Sequence, residues 1–405
     1  MENQNAVSIV TVKNKIPLFK GDEQAERIEL IQLEEVGFEL VSQKDLYEIG
    51  DKAVYIQPDY NLSDIYLFES FLRPNGDASK SMLGKVGGVA LRIRAKKFAF
   101  HRGDGQHVYS NGILLPLDEV CEYLRQKEGF RRPQKYTEDY LNLINLTKAL
   151  EIVKYEEPER LDKNGMNVSS GRVFPEGIYK TDENNINNLW NHIEKNIGYP
   201  VRLVGTEKID GSSITIGVKN GKGFICSRNL EKPLLIKKHI GRRKKTFLEK
   251  IFFWTKPNLN LYKEVHNEDD FITYGKPIMD LLLSDSAYDN YILRGELNGG
   301  SLKGSGNKNN PASKEKPNVK FFGADTINEF GIAEKLRYEQ FFFLIRALEL
   351  EIAKEVFIEN FNSREEIEAT CNNYFKTNLI EGIVVRSLDS TFSAKFMNLE
   401  YDSKK

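Results

Sequence analysis

Polar and apolar positions alternate in short runs through the first part of the chain. Residues 7–12, 28–33, 52–56 and 88–93 have the alternation or the β-branched content of strands, and turns rich in Gly, Pro, Asn and Asp divide them. Short strands at this density predict a small β-barrel over residues 1–117. Residues 118–150 change to a charged, helical pattern broken at Arg131, Arg132 and Pro133, and are expected to link the barrel to a second domain. From 151 to 405 strand-like and helix-like stretches are mixed, so the expected fold class is α+β in two domains.

The sharpest alternation lies at 213–218, followed by Asn220 and Gly221 and by a second strand-like run at 224–229. An Asn-Gly pair between such runs predicts a tight hairpin. Pairing Lys219 with Lys222 places Arg228 opposite Ser213 and brings Arg228 and Asn229 back beside the segment before the first strand. Tyr291 to Glu296 reads as a strand that ends on a carboxylate just before Gly299 and Gly300. Phe321 and Phe322 point to opposite faces of an extended segment, so that both are core, or one is core while the other stacks on a ligand. Glu381, Ile383 and Val385 share one strand face, and after a turn at 388–390 so do Ser393, Lys395 and Met397. A hairpin there sets Glu381 across from Lys395, as part of a site or as a plain cross-strand ion pair.

Composition changes this picture in three ways. With 405 residues and 40% apolar content the chain exceeds what one core usually serves, which favours two domains. The first residues lack a basic region followed by an apolar run, and no apolar stretch approaches a membrane span, so a cytoplasmic protein without membrane association is expected. Cys121, Cys226 and Cys371 are far apart and the five histidines are scattered, which points to neither a disulfide framework nor a zinc site.

A net charge of −1 argues against polyanion binding by the whole surface, so any such contact must be local. Two basic runs qualify. Between Lys232 and Lys256 stand Lys237, Lys238, Arg242, Arg243, Lys244, Lys245 and Lys250, with Phe252, Phe253 and Trp254 near the end. This run fits a phosphate-tracking segment or a solvated basic helix. Arg92, Arg94, Lys96 and Lys97 lead into Phe98, Phe100 and Arg102, as in a strand of a nucleic-acid-binding barrel or a charged edge strand.

The candidate chemistry is concentrated at 207–213, from Glu207 through Lys208, Ile209, Asp210 and Gly211 to Ser212 and Ser213. A lysine attacks only as the neutral amine, so a nucleophilic Lys208 needs desolvation or a nearby cation to release its proton. Asp210 alone would hold the ammonium form, unless the carboxylate is engaged with a hydrated metal whose charge outweighs it. Gly211 permits a turn with positive φ that brings lysine and aspartate together. An exposed lysine in a surface turn has the same four-residue signature.

At this point the sequence resembles the covalent nucleotidyltransferases, the group of ATP-dependent ligases and mRNA capping enzymes. The later motifs of that group follow in order: Arg294-Gly295-Glu296, Lys320-Phe321-Phe322-Gly323, Glu381-Gly382-Ile383-Val384-Val385-Arg386 and Ser393-Ala394-Lys395-Phe396. The resemblance implies that Lys208 attacks the α-phosphorus of ATP and carries AMP. It implies that Asp210 and Glu381 hold the water shell of Mg2+ or Mn2+, that Glu296 binds ribose, and that Ile383 and one of Phe321 or Phe322 sandwich adenine. Arg228 would contact the sugar-phosphate, Lys395 the phosphate in the transition state, and Glu207 is counted among the nucleotide-binding residues. Relatives usually carry a second lysine in the last motif, where this chain has Met397, which cannot donate to phosphate.

The order of domains narrows the resemblance to ATP-dependent RNA ligases of the Naegleria and Deinococcus type, which have an N-terminal barrel and a catalytic domain ending soon after the last motif. The implied architecture is an oligonucleotide-binding (OB)-like domain at 1–117, a helical linker at 118–150 and a nucleotidyltransferase domain of antiparallel sheets flanked by helices at 151–405. The implied function is joining of 3′-hydroxyl RNA to 5′-phosphate ends in RNA repair, by a monomer acting on nicked duplex RNA or RNA/DNA. Preference for DNA ends, or a binding protein that has lost catalysis, are the alternatives.

Overall fold

The computed structural model describes residues 6–127, 138–155, 172–244, 258–300, 302 and 310–402. The chain divides into two compact units. The first is 1–158 together with 185–198, and the second is 159–184 together with 199–405.

In the first unit the alternating runs become strands β1 (Val7–Lys20), β2 (Glu23–Leu33), β3 (Glu39–Gln43), β4 (Lys52–Ile56), β5 (Lys96–His101), β6 (His107–Ser110) and β7 (Ile113–Pro116). β1 serves two neighbours: residues 7–11 pair with β4 and residues 12–20 with β2, with register shifts after Val12 and Pro17. Such bulges bend a strand and increase its twist. The sheet runs β7-β4-β1-β2-β3, with β5 pairing to β1 and β6. Among the described residues these ladders form a curved sheet that does not close into the barrel the sequence predicts. Between β3 and the β6–β7 end stand single bonds, Asn111 N–H to the Glu39 carbonyl at 3.0 Å and Val41 N–H to Ser110 Oγ at 3.1 Å.

The expected linker belongs to this unit. Helices α1 (Leu117–Lys127), α2 (Glu138–Leu143) and α3 (Leu146–Ala149) bury Val120, Leu124, Leu141 and Leu146 in one core with Val7, Val54 and Ile56. Their apolar faces are therefore satisfied by the sheet, and 118–150 is not a free connection. The break expected at Arg131–Pro133 lies outside the described residues. Residues 185–198 return to the unit through buried Trp190, whose Nε1 donates to Asn187 Oδ1 at 3.0 Å, and through Gly37 N–H on the Asn187 carbonyl at 2.7 Å.

The second unit is built on two antiparallel sheets. One contains β9 (Ser212–Lys219), β10 (Lys222–Cys226), β13 (Tyr291–Asn298) and β14 (Asn318–Ile327), in the order β10-β9-β13-β14. The other contains β8 (Val201–Lys208), β15 (Glu355–Phe361), β16 (Gly382–Ser387) and β17 (Ser393–Met397), in the order β17-β16-β8-β15. Ile214, Ile216, Leu293, Leu297, Val319 and Phe321 cover one face of the first sheet. They pack against Ile272 and Met279 of α4 (Asp270–Leu283) and Phe341 and Ile345 of α5 (Tyr338–Ala347). Helix α6 (Arg364–Thr377) covers part of the second sheet.

The β9–β10 hairpin has the expected register, Lys219 opposite Lys222, with Asn220 at φ 51° and Gly221 at φ 70°. Positive φ at both central residues matches strand twist and is what Asn-Gly supplies. The ladder ends at Thr215–Cys226, because Ser227 N–H turns back onto the Leu230 carbonyl at 2.9 Å. Arg228 therefore leaves the sheet, and Ser213 pairs with Glu296 instead of Arg228.

The basic run after Lys232 is a strand and not a helix. β11 (Leu235–Lys244) pairs with β12 (Asn258–His266) as a separate two-stranded hairpin, and it carries Lys237, Lys238, Arg242, Arg243 and Lys244 with no acidic residue. Lys245, Lys250, Phe252, Phe253 and Trp254 lie outside the described residues. The other basic run is split: Arg92 ends one short strand and pairs with Asp59 at 2.6 Å, and Arg102 follows β5 and pairs with Glu39 at 2.7 Å. Among the described residues no helix is long and apolar enough to cross a membrane.

Candidate functional site

Register decides which side chains meet. Across β8 and β16, Lys208 pairs with Gly382, Thr206 with Val384 and Val204 with Arg386. Across β16 and β17, Gly382 pairs with Met397, Val384 with Lys395 and Arg386 with Ser393. Directly opposed residues share a face, so Lys208, Met397, Thr206, Val384, Lys395, Arg386 and Ser393 lie on one side of the sheet. Gly382 in the middle of the first row is required by close approach, since a Cβ there would meet the Phe396 carbonyl at 2.5 Å.

The other side holds Glu207, Ile383 and Phe396 against α6. The rings of Phe396 and Phe375 are 5.9 Å apart, and Glu207 Oε1 accepts from the Tyr374 hydroxyl at 2.7 Å and Lys354 Nζ at 3.2 Å. Two expectations are corrected by this alternation. Ile383 and Glu207 face away from the lysine, and the apolar residue beside it on the sheet is Val384. The expected pairing of Glu381 with Lys395 is corrected too, because Lys395 pairs with Val384, while Glu381 lies past the ladder, where its carbonyl accepts from Asn398 N–H at 2.9 Å.

Glu381 turns instead to the nucleophile candidate, with Lys208 Nζ donating to its Oε2 at 2.6 Å. Glu296 and Asp210 add their negative charge to the surroundings of the same ammonium. Asp210 is held by the Tyr401 hydroxyl on Oδ2 at 2.8 Å and by Asn310 Nδ2 on its carbonyl at 2.7 Å. Gly211 brings this loop onto β13: a Cβ would meet the Leu297 carbonyl at 2.5 Å and Glu296 Cγ at 3.0 Å. Gly211 does not adopt the expected positive φ, so close approach and not handedness selects glycine here.

Burial works to lower the Lys208 pKa, but Glu381 first, then Glu296 and Asp210, overrule it and hold the amine above its ordinary value. Without other cations Lys208 is an ammonium and cannot attack. Burial, with Glu381 and Asp210 adding repulsion, pushes Glu296 up to about 8 despite Lys208. Both shifts report a local excess of negative charge. That excess suits a divalent cation, for which Asp210 and Glu381 are carboxylates at the lysine loop that could hold its water shell.

The aromatic pair divides in burial. Phe321 is fully buried in the core with Ile214 and Leu297, whereas Phe322, at the register shift between β13 and β14, is half-buried with the Arg386 guanidinium 5.8 Å from its ring centre. Next to it, buried Arg294 donates to Asp325 Oδ2 at 2.6 and 2.8 Å and to Thr215 Oγ1 at 3.2 Å, and lies 4.9 Å from the Tyr179 ring. Removing one partner of such a pair costs about 3–5 kcal/mol, because the other charge is left buried. Arg228 is exposed, 3.8 Å from Asp182, near enough to Glu296 to lower its pKa. Tyr401, Asn310, Thr206 and Arg386 are site residues that sequence alone does not single out. Arg386 closes the motif that begins at Glu381, and Tyr401 lies four residues beyond Met397.

The whole chain has the fold of Naegleria gruberi RNA ligase. A ligand-free variant of that enzyme aligns over 99% of this chain and 98% of its own, at 22% identity and a TM-score of 0.67. A variant with ATP and Mn aligns over 99% and 97%, at 22% and 0.64, and a variant with AMP and Mn over 99% and 99%, at 21% and 0.65. No curated protein matches the chain. Residues 201–397, which hold Lys208, Asp210, Glu296, Glu381 and Lys395, match the model of the RNA ligase family.

Proposed function

We propose that this chain is an RNA ligase that uses ATP to join a 3′-hydroxyl RNA end to a 5′-phosphate end, as in the repair of nicks or breaks. The observation that carries the reading is Lys208 Nζ bonded to Glu381 at 2.6 Å under the added negative charge of Glu296 and Asp210, with Lys395 on the same sheet face. In the first step Lys208 Nζ attacks the α-phosphorus of ATP, an N–P bond forms, the bond to the β-phosphate breaks and pyrophosphate leaves. AMP then passes to the 5′-phosphate, and the 3′-hydroxyl displaces it.

The residues divide this work by position. Glu381 is placed to take the proton that Lys208 must lose. Asp210 and Glu381 would hold Mg2+ or Mn2+ through its water shell, a charge that lowers the lysine pKa and offsets that of the α-phosphate. Lys395 approaches the phosphate from the neighbouring row, Glu296 accepts from the ribose, and Phe322 with Val384 bounds the base. Asn310 and Tyr401 keep Asp210 aimed at the site.

RNA is held by the β-sheet of the first unit and, separately, by the β11–β12 hairpin, whose charge suits a phosphate backbone. Parallel sealing of nicked duplexes that differ only in RNA or DNA at the two ends tests the substrate. Faster joining of RNA ends is expected, and preference for DNA ends would replace this reading by a DNA-type ligase.

A further inference from the structure

Arg386 is an arginine with no carboxylate in ion-pair contact among the described residues, Glu183 acting on it only from farther off. It is 7% exposed and lies on the Lys208 face of the sheet. Among the described residues its one hydrogen bond runs from Nη1 to Thr206 Oγ1 at 2.9 Å, and it enters no ion pair. A guanidinium has five N–H donors and keeps its charge, so burying it without an anion or further acceptors is costly. Arg294, in the same unit, shows the alternative: it is as buried, yet Asp325, Thr215 and the Tyr179 ring satisfy it. Across the ladder from Arg386, the Ser393 hydroxyl is also buried with no hydrogen-bond partner.

The place of these two groups says what answers them. Along β8 and β16 the Arg386 row is four residues from the Lys208 row, roughly 13 Å, close to the length of a nucleoside monophosphate. If the α-phosphorus sits at Lys208 Nζ, the far end of the nucleotide lies at Arg386. Phe322, with its ring centre 5.8 Å from the guanidinium, offers the stacking face there. Burial holds the Arg386 pKa below its ordinary value, against the opposite pull of Glu183 and Tyr338.

We propose that Arg386 reads the nucleotide base, donating from its free N–H groups to a ring nitrogen of the purine stacked on Phe322, with the Ser393 hydroxyl beside it as a second polar contact. The inference rests on the ATP-dependent reading above and adds a specificity-determining residue to it. A guanidinium only donates, so it selects an acceptor edge and leaves the exocyclic amine of adenine to other groups.

The test measures the concentration dependence of Lys208 nucleotidylation, by intact mass, with ATP and with 1-deaza-, 3-deaza- and 7-deaza-ATP, each of which lacks one ring acceptor. The native chain is expected to lose about 10–100-fold in apparent affinity for one analogue, the range of a charge-assisted hydrogen bond. Arg386→Gln is expected to weaken ATP by a similar factor and to lose nothing further with that analogue. Arg386→Lys keeps the charge without the fork and is expected to fall between the two. Indifference of the native chain to all three analogues would overturn the proposal without any variant, as would a folded Arg386→Gln that keeps the native analogue profile. Adduct formation with ATP in either case leaves the ligase reading standing, whereas absence of any adduct on the native chain removes both.

Discussion

At the scale of single residues, the site is a balance of charges that one substitution can tip. Met397 stands in the same row as Lys208, across Gly382, about 10 Å away by strand spacing. A methionine there gives the phosphate nothing, so Met397→Lys is expected to speed lysine nucleotidylation several-fold at subsaturating ATP. An unchanged or slower single-turnover rate would mean that Lys395 already suffices. Glu296 supplies a second handle. Its folded-state pKa, pushed up to about 8, lies above the ordinary carboxylate value, so the stability it contributes is fully present below about pH 4.5 and is lost as pH rises towards 8. In chelator, the urea midpoint of the native chain is expected to fall over that interval, and Glu296→Gln is expected to flatten the fall. Parallel slopes for the two proteins would refute the charge excess around Lys208.

At the scale of elements, side-chain period is easy to read from sequence and strand registry is not. The Asn220-Gly221 hairpin and the alternation at 213–218 follow from local chemistry, and both form as expected. Arg228 departs from its expected place because one bond, Ser227 N–H to Leu230, ends a ladder that a period of two would continue. Ile383 and Glu207 depart for a related reason: faces alternate within a strand, but only pairing with β8 shows which face holds Lys208. The helix alternative for the basic run fails because charge says little about period, and β11 is a strand. Its charge remains a functional signal. Reversing Lys237, Lys238, Arg242 and Arg243 to glutamate is expected to weaken RNA binding and to lower the slope of log affinity against log salt by roughly 0.7–0.9 for each phosphate no longer neutralised. A salt slope equal to that of the native chain would remove the hairpin from the RNA interface.

At the scale of the whole molecule, two units and an α+β class are legible from length and patterning, but the boundary is not. The helices at 118–150 look like a link because charge dominates them, yet their few apolar residues complete the first core. Residues 185–198 return to that unit through the Asn187 carbonyl, which accepts from Gly37 N–H, a long-range contact with no local signature. The motifs are legible because each carries a chemical demand: a carboxylate beside the lysine, and glycine where Gly211 and Gly382 meet backbone. Arg386 is not, since a buried charge is visible only once its surroundings are known.

The central claim is that Lys208 is the residue that takes up the nucleotide. It is tested most directly by intact and peptide mass after incubation with ATP and Mg2+ or Mn2+, comparing the native chain with Lys208→Ala. The account requires one AMP on Lys208 of the native chain and none on the variant. A folded native chain, free of bound AMP beforehand, that acquires no adduct with either metal, or acquires it equally without Lys208, would contradict it.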